Sequence, residues 1–409
     1  MLGLAAVVLF NGCTSPQAVT TYHYDNLRTG WNSNEVKLGF DNVGSSSFAL
    51  LPPVTLDDQV DTQPLIVPNE TIDGGGPVAG KHDVVYVATE GNTIYAIDAS
   101  SGAILLSPNF GPPVPEPLGC NNNGPNVGIN GTPVIDVASN TMYVITYTND
   151  GPTYRIHALN LSSLKDKVPP VVVSASHTLT DGTTFPFKAK FQRQRPALLE
   201  ANGNIYAGFG SFCDYNWESS RGRLLGWKVG SLTPLPANQL NDRLSTSPHS
   251  EFLSSIWMAG YGVAADADGN LYFATGNSDK SGTTYEGTRN ISESVAKASP
   301  DLTKFTVFTP SNVGDLDQHD TDFGSGGVLL LPEQNGSIPR LAAAAGKDGN
   351  MYLLNRDNLG GLAQGDPHTA HGGLIDPPKQ IGGCFCGQSY FGGSPPNLIV
   401  SSGGDKVSV

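Results

Sequence analysis

Short apolar runs separated by Gly- and Asn-containing hinges recur along this chain. The first clear example is DVVYVATEGNTIYAID (83–98), in which two such runs flank Gly91-Asn92. Runs of four to eight residues rich in Val, Ile, Leu and Tyr, joined by such hinges, are typical of β-hairpins. The pattern therefore predicts hairpins rather than long helices.

The hairpin is repeated at intervals along the sequence. Similar segments lie at 140–161, 203–229, 269–302 and 339–357, and another begins at 396. A third apolar strand precedes the copies, as in TQPLIV, GTPVID and RPALLE. One such sheet cannot bury both of its faces, whereas radially stacked sheets bury them and protect their edges. We therefore predict an all-β fold, a β-propeller of four-stranded blades. A two-sheet sandwich array is the alternative, which fits the sustained period less well.

The repeats also predict the domain organisation. Residues 1–20 form a leader, 21–56 an N-terminal segment, and 57–409 a propeller with about six blades. Closing a ring needs a strand from the first segment, and Ser47–Leu56 is our candidate for it. Because the sequence stops within the sixth repeat, we expect a propeller truncated at its C-terminus.

Composition narrows the class of partner. The 409 residues carry a formal net charge of -14, and only 15% of them are charged. An acidic balance argues against nucleic acid or an anionic membrane face as partner. With 38% hydrophobic residues, the chain can bury a large core.

The N-terminus predicts export. Leu2–Phe10 is an apolar run too short to span a bilayer and typical of a secretory signal. LFNGC resembles a lipoprotein cleavage box with Cys13 as the lipidated residue. We expect an extracytoplasmic protein, in the periplasm, on the cell surface or secreted, with membrane contact only through such an anchor. The alternative is a buried N-terminal strand with an ordinary Cys13.

Two further cysteines are predicted to pair, because export permits disulfides. Cys120 and Cys213 both lie in Gly- and Asn-rich loop sequence. Cys384 and Cys386 flank one Phe and are predicted to be free or mutually paired. DADGN (266–270) is predicted to be a turn rather than a calcium loop, since Leu271 occupies the position where an EF-hand needs Gly.

The repeat VYVATEGNTIYAIDASSG resembles that of the quinoprotein alcohol dehydrogenase family, whose members are eight-bladed propellers holding pyrroloquinoline quinone (PQQ) and Ca²⁺ on the axis. Trp257 followed by YFATGN is similar to the family's fourth blade. The resemblance implies that Trp257 stacks under the quinone and that Asn277 is a Ca²⁺ ligand. A flat indole suits a planar cofactor, and an amide oxygen suits a hard cation.

Blades five and one carry further resemblances. HDTDFGSGGVLLL (319–331) resembles a family motif with one residue deleted, which implies that Asp322 is the catalytic carboxylate and that Asp320 helps to hold the metal or the base. Lys347, in GKDGNMYLLNRD, corresponds to the cation that contacts the quinone oxygens. Asp61, in VDTQPL, replaces a Glu that touches the cofactor.

The chain also departs from the family. GFGSFCDYNWESSRG is longer than the family's third-blade segment, so the metal-binding acid is either Asp214 or Glu218. The adjacent Cys pair over the quinone is missing, and so is the Trp that docks neighbouring blades. Each candidate also has a structural alternative: Trp257 as core filler, Asn277 as a turn cap, Asp320 and Asp322 as loop caps, and Lys347 and Asp61 as solvated surface charges.

The resemblance implies an exported PQQ- and Ca²⁺-dependent dehydrogenase that oxidises a small alcohol or sugar, with Asp322 as general base. The alternative is a non-catalytic propeller, a scaffold or binding module for an envelope protein partner. A glycan-binding or hydrolytic propeller is a more distant alternative. The sequence contains no P-loop, nucleophile elbow or HExxH motif.

Overall fold

A computed structural model of the chain describes residues 17–45, 48–73, 75–116, 118, 124–213, 219–245, 253–278, 285–362, 379–383, 387–393, 397–403 and 406–408. The predicted all-β class is confirmed, because antiparallel sheets follow one another in chain order. The described helices are short: α1 (Phe40–Val43), α2 (Val313–His319) and the 3₁₀ turns Gly76–Val78, Ala189–Phe191, Met258–Gly260 and Phe323–Ser325. None of the helices in these ranges is long and apolar enough to cross a membrane.

The first three sheets each come from one sequence repeat. Sheet one contains β1 (Leu65–Ile72), β2 (Gly80–Ala88), β3 (Ile94–Asp98) and β4 (Ile104–Leu106). A ribbon of β5 (Val114–Pro115) and β6 (Asn126–Val127) leads to sheet two, with β7 (Val134–Asp136), β8 (Thr141–Thr148), β9 (Thr153–Asn160) and β10 (Val171–Val172). A second ribbon, β11 (Ser176–Thr178) and β12 (Thr184–Pro186), precedes sheet three, with β13 (Gln192–Arg193), β14 (Leu199–Ala201), β15 (Asn204–Ser211), β16 (Arg223–Lys228) and β17 (Gln239–Leu240).

The remaining sheets continue this order, except that one late strand returns to an earlier sheet. Sheet four contains β18 (Ala264–Ala265), β19 (Leu271–Ala274), β20 (Val295–Ala298) and β21 (Phe305–Thr309). Sheet five contains β22 (Val328–Leu330), β23 (Leu341–Ala345) and β24 (Asn350–Asn355); β25 (Gly361–Leu362) pairs in parallel with β21, and β26 (Lys379–Gln380) pairs with β24. Sheet six contains β27 (Ser389–Phe391), β28 (Leu398–Gly403) and β29 (Lys406–Ser408).

The predicted hinges are hairpin turns. Asn92 adopts a left-handed backbone with φ of 60°, and the Thr89 N–H donates to the Thr93 carbonyl at 3.0 Å, which reverses the chain between β2 and β3. Asn tolerates this conformation better than most residues. DADGN is likewise a turn, because the Asp266 carboxylate accepts a hydrogen bond from the Asn270 N–H at 2.8 Å and so joins β18 to β19.

The apolar core lies between neighbouring sheets, as radial stacking requires. One buried cluster joins sheets one and two, a second joins two and three, and a third joins three, four and five. The repeated tyrosines add bonds across the same boundaries. The hydroxyls of Tyr86 and Tyr206 donate to carbonyls of the following sheets at 3.1 and 2.7 Å, and the Tyr143 hydroxyl accepts from the Gly230 N–H at 3.0 Å. These tyrosines therefore dock neighbouring sheets.

A short segment near the N-terminus, residues 19–29, connects all six sheets; we call it the N-terminal strap. Its carbonyls accept hydrogen bonds of 2.8–2.9 Å from the first strands of five sheets, at Ile66, Ile135, Ala265, Leu330 and Tyr390. The Asn26 side chain donates to the Glu200 carbonyl of sheet three at 2.9 Å. Since β7, β14, β18 and β22 also contact one another in turn, these first strands line the axis of the fold.

The segment predicted to close the ring is not a strand. Residues 48–56 have no strand in the structure, and Ser47 lies outside the described residues. The two prolines at 52 and 53 remove two backbone N–H donors, which disfavours a ladder. Val54 and Leu56 instead pack on Val87, Tyr95 and Ile97. The contact from the N-terminal region to sheet six is made by the strap.

Candidate functional site

The predicted site residues lie at one end of the first strands. Asp61 precedes β1, Trp257 precedes β18 and Asp322 precedes β22. Asn277 follows β19 and Lys347 follows β23, which are antiparallel to those first strands and therefore end beside their beginnings. We call this end of the axis the axial site.

Lys347 and Asp322 form the centre of the axial site. The Lys347 Nζ lies 2.6 Å from Asp322 Oδ2 and 3.0 Å from Asp320 Oδ1. The Asn277 N–H donates to Asp322 Oδ1 at 2.9 Å, and its side-chain amide donates to Asp320 Oδ1 at 2.7 Å. The structure thus brings together four side chains that the sequence predicted from two different repeats.

Asp322 is held in a buried position. Its side chain is 2% exposed, whereas that of Lys347 is 19% exposed. Burial raises the pKa of Asp322, and the Lys347 ammonium opposes that shift. For Lys347, burial lowers the pKa, but the two aspartates raise it by more. The ammonium therefore offsets part of the cost of burying this carboxylate.

Trp257 is partly buried beside this ion pair. The Lys347 Nζ lies 5.7 Å from the centroid of the indole ring, and the Arg195 guanidinium carbon lies 5.6 Å from it. Gly276 lets the backbone pass between these groups. A Cβ at Gly276 would lie 2.5 Å from Asp322 Oδ1 and 2.9 Å from Trp257 Nε1, so any larger residue would displace them.

Two further acids are buried behind the ion pair, and the sequence analysis missed both. The Glu293 Oε2 accepts the Phe323 N–H at 2.6 Å, while Oε1 has no hydrogen-bond partner among the described residues. Asp317 accepts the Ser278 N–H at 2.7 Å and is also fully buried. Burial, followed by the charges of Asp322 and Asp317, raises the pKa of Glu293 well above its ordinary value.

Asp61 belongs to a second polar cluster in sheets one to three. Its carboxylate accepts from the Asn130 side chain at 2.8 Å, and the same Asn130 amide donates to the buried Glu90 at 2.5 Å. The Arg193 Nε donates to Asn130 Oδ1 at 3.0 Å. Asp61 itself is exposed. Its predicted contact with a cofactor stays a prediction.

Glu90 gives this cluster a pH dependence. Burial raises its pKa to about 7, and the Asp61 charge adds to the rise, while the Gly128 N–H opposes it. Because the folded pKa exceeds the unfolded one, the stability that Glu90 contributes in its protonated form is lost as the pH rises through about 7. The free energy of unfolding of the wild type should fall between acidic pH and pH 8. In Glu90→Gln we expect this fall to be smaller by up to about 3 kcal/mol. Urea denaturation across this range measures it, with exposed Glu333→Gln as the control. An unchanged slope in Glu90→Gln would contradict the assignment.

Several predicted residues lie outside the described part of the chain: Cys13, Cys120, Asp214, Glu218, Cys384 and Cys386. Cys213 is disulfide-bonded, and its partner is not among the described residues. Pairing with Cys120 therefore stays a prediction, as do lipidation of Cys13 and the choice of third-blade acid.

The described side chains suit a planar anion better than they define a complete metal site. An indole beside two cationic groups fits an aromatic ring that carries negative charge. For a hard cation, the buried Asn277 Oδ1 has no hydrogen-bond partner among the described residues, and Asp322 lies next to it. Within the described ranges, however, no group of three or more His, Cys, Asp or Glu side chains is placed to hold a metal ion. Any further ligand would have to come from elsewhere, such as Asp214 or Glu218.

The fold is a β-propeller similar to that of quinoprotein alcohol dehydrogenases, which confirms the resemblance at the level of fold. The chain matches the quinohemoprotein alcohol dehydrogenase from Comamonas testosteroni with a TM-score of 0.61 and 16% identity, over 88% of this chain and 52% of that one. It matches a europium-containing methanol dehydrogenase with a TM-score of 0.55 and 15% identity, over 84% and 57%.

A third similar structure is the quinohemoprotein alcohol dehydrogenase ADHIIG from Pseudomonas putida HK5, with a TM-score of 0.51 and 16% identity, over 79% of this chain and 43% of that one. The chain thus spans about half the length of these enzymes. No protein-family model matches the chain, and no curated protein sequence matches it.

Proposed function

We propose that the chain is the quinone-binding part of an exported dehydrogenase that oxidises a small alcohol or sugar. The observation that carries the proposal is the Trp257–Lys347–Asp322–Asn277 array, in which an indole, an ammonium, a buried carboxylate and an amide oxygen meet at one end of the axis. The three solved structures described above, which are named as alcohol or methanol dehydrogenases, support it.

Each side chain has a distinct task in this proposal. Trp257 supports the flat face of the quinone, and Lys347 sets its position through charge. The Asn277 Oδ1 would provide an oxygen donor to Ca²⁺, with the neighbouring Asp320 as the carboxylate that helps to hold the metal. When bound, the quinone and its cation would supply the hydride acceptor and the Lewis acid. Asp322 takes the hydroxyl proton of the substrate as general base.

One observation favours a non-catalytic propeller as the second candidate. Asp322 is 2% exposed, and the Lys347 ammonium lies 2.6 Å from the oxygen that would receive the proton. A substrate reaches that oxygen only if Lys347 moves towards the quinone. If Lys347 stays in place, the site binds a ligand or an envelope protein partner without turnover.

We expect the wild-type chain to bind PQQ in the presence of Ca²⁺, and Trp257→Ala to weaken binding by about tenfold or more because the stacking surface is lost. Isothermal titration calorimetry measures both affinities. Trp257→Phe, which keeps an aromatic face, should retain most of the binding. Trp31→Phe is the control, since Trp31 packs on Tyr390 and Phe391 of sheet six. A flat titration of the wild type with PQQ and Ca²⁺ would argue decisively against the quinone function.

We also propose an extracytoplasmic location, which the apolar run Leu2–Phe10 and the disulfide of Cys213 support. Fractionation of cells producing the full sequence tests it. Recovery of the protein in the cytoplasm with an uncleaved N-terminus would contradict it.

A further inference from the structure

Arg195 has an environment unlike that of the other buried arginines. Arg28 donates to Thr21, Leu198 and Val263, and Arg223 donates to Gln192 and to the Pro186 carbonyl. The Arg195 side chain makes no hydrogen bond and no ion pair with the described residues; its guanidinium carbon lies 5.6 Å from the centroid of the Trp257 ring, and the charges of Asp61 and Glu90 act on it from beyond hydrogen-bond distance. A guanidinium carries five N–H donors in a rigid fork, so Arg195 has donors to offer.

The surroundings of Arg195 withdraw it from bulk water. It is only partly exposed, and burial, followed by the neighbouring charge of Arg193, lowers its pKa to about 10, while the charges of Asp61 and Glu90 oppose this shift. Holding a cation there without an acceptor costs free energy. That cost is offset where a bound anion supplies the acceptor.

Trp257 lies between two cations that come from different sheets. Arg195 precedes β14 of sheet three, and Lys347 follows β23 of sheet five, while Trp257 belongs to sheet four between them. The two cations differ in whether an anionic partner is already bound to them. Lys347 is already paired with Asp320 and Asp322, whereas Arg195 has no anion beside it within hydrogen-bond distance among the described residues.

We propose that Arg195 is the anion receptor of the axial site, and that it holds a carboxylate of a planar aromatic polycarboxylate stacked on Trp257. This inference extends the proposed function. It rests on that function in one respect, because both use the Trp257 ring as the binding surface. A carboxylate matches the guanidinium fork with two parallel hydrogen bonds. An aromatic ring joins that carboxylate to the indole face.

The test compares three probes by calorimetry and by quenching of tryptophan fluorescence: PQQ with Ca²⁺, its trimethyl ester, and benzene-1,3,5-tricarboxylate. Arg195→Met should weaken PQQ binding by about 10- to 100-fold, the loss of one charge-assisted pair. It should leave the weaker binding of the ester unchanged. Arg340→Met is the matched control, because Arg340 is exposed and pairs with Asp268 and Asp357 on the surface. Trp257→Phe identifies the quenched residue.

The outcomes separate this inference from the quinone function. If Arg195→Met binds PQQ as the wild type does, or if the ester binds as well as the acid, the inference is overturned while the quinone function stands. If the wild type ignores PQQ but binds the benzene tricarboxylate through Arg195, the quinone function fails and the inference stands. If no anion binds, both fail. Should Arg195→Met not fold, Arg195→Lys and Arg195→Gln decide, with Lys expected to retain more affinity than Gln.

Discussion

Asp322→Asn is expected to lower the rate of alcohol oxidation by at least about 100-fold, because an amide cannot accept the hydroxyl proton that a general base removes. Quinone binding should change much less, since the stacking surface of Trp257 remains. In the variant, the Asn277 N–H can still donate a hydrogen bond to the amide Oδ1 of residue 322, as it does to the Asp322 Oδ1 in the wild type. Turnover with PQQ, Ca²⁺ and an artificial electron acceptor measures the rate, and calorimetry measures the binding.

The matched control is Asp268→Asn, since Asp268 is a surface partner of Arg340. If Asp322→Asn turns over alcohol as fast as the wild type, Asp322 is not the general base. A wild type that binds PQQ but oxidises no alcohol or sugar would instead support the non-catalytic candidate, and Asp322 would then be a structural partner of Lys347.

Lys347→Met is expected to lower the free energy of unfolding by about 3 kcal/mol at neutral pH, because it leaves the buried Asp322 carboxylate without its cation. Burial already raises the pKa of Asp322, and removal of Lys347 raises it further. A folded pKa above the unfolded one favours the folded state only while the carboxyl is protonated. The destabilisation should therefore be small near pH 4 and grow as the pH rises through the folded pKa.

Urea denaturation at several pH values measures this dependence, and Lys304→Met, in the exposed turn between β20 and β21, is the control. The double variant Asp322→Asn/Lys347→Met should recover much of the lost stability, because the unpaired charge is gone. A loss of stability that is the same at pH 4 and pH 8 would show that Lys347 contributes packing rather than charge.

The fold could be predicted from the sequence because its signals are local. Hinges such as Gly91-Asn92 and the turn at 266–270 are decided by backbone conformations that neighbouring residues fix. The ring-closing segment was wrong because an apolar run with two prolines satisfies a hydrophobicity pattern without satisfying a hydrogen-bond ladder. The strap binds five of the six sheets through its backbone carbonyls, which carry no residue-type signal.

The site was predictable only where a motif carried it. Trp257, Asn277, Asp322 and Lys347 came from the family resemblance, and the structure brings them together. Glu293 and Arg195 were missed because neither belongs to a recognisable motif, and the role of each depends on partners far away in sequence. An acid close before VAKA and a base directly before PALL were nevertheless a signal, since charged residues are seldom buried unless they are paired.

The N-terminal strap has a consequence for how this ring comes apart. Linear repeat arrays lose their end units one at a time, because each unit touches only its neighbours. Here the strap, residues 19–29, is hydrogen-bonded to early and late sheets alike. Detaching any one sheet breaks a hydrogen bond to the strap, and a strap that is less well held binds the remaining sheets less well. We therefore expect the sheets to unfold together rather than one at a time.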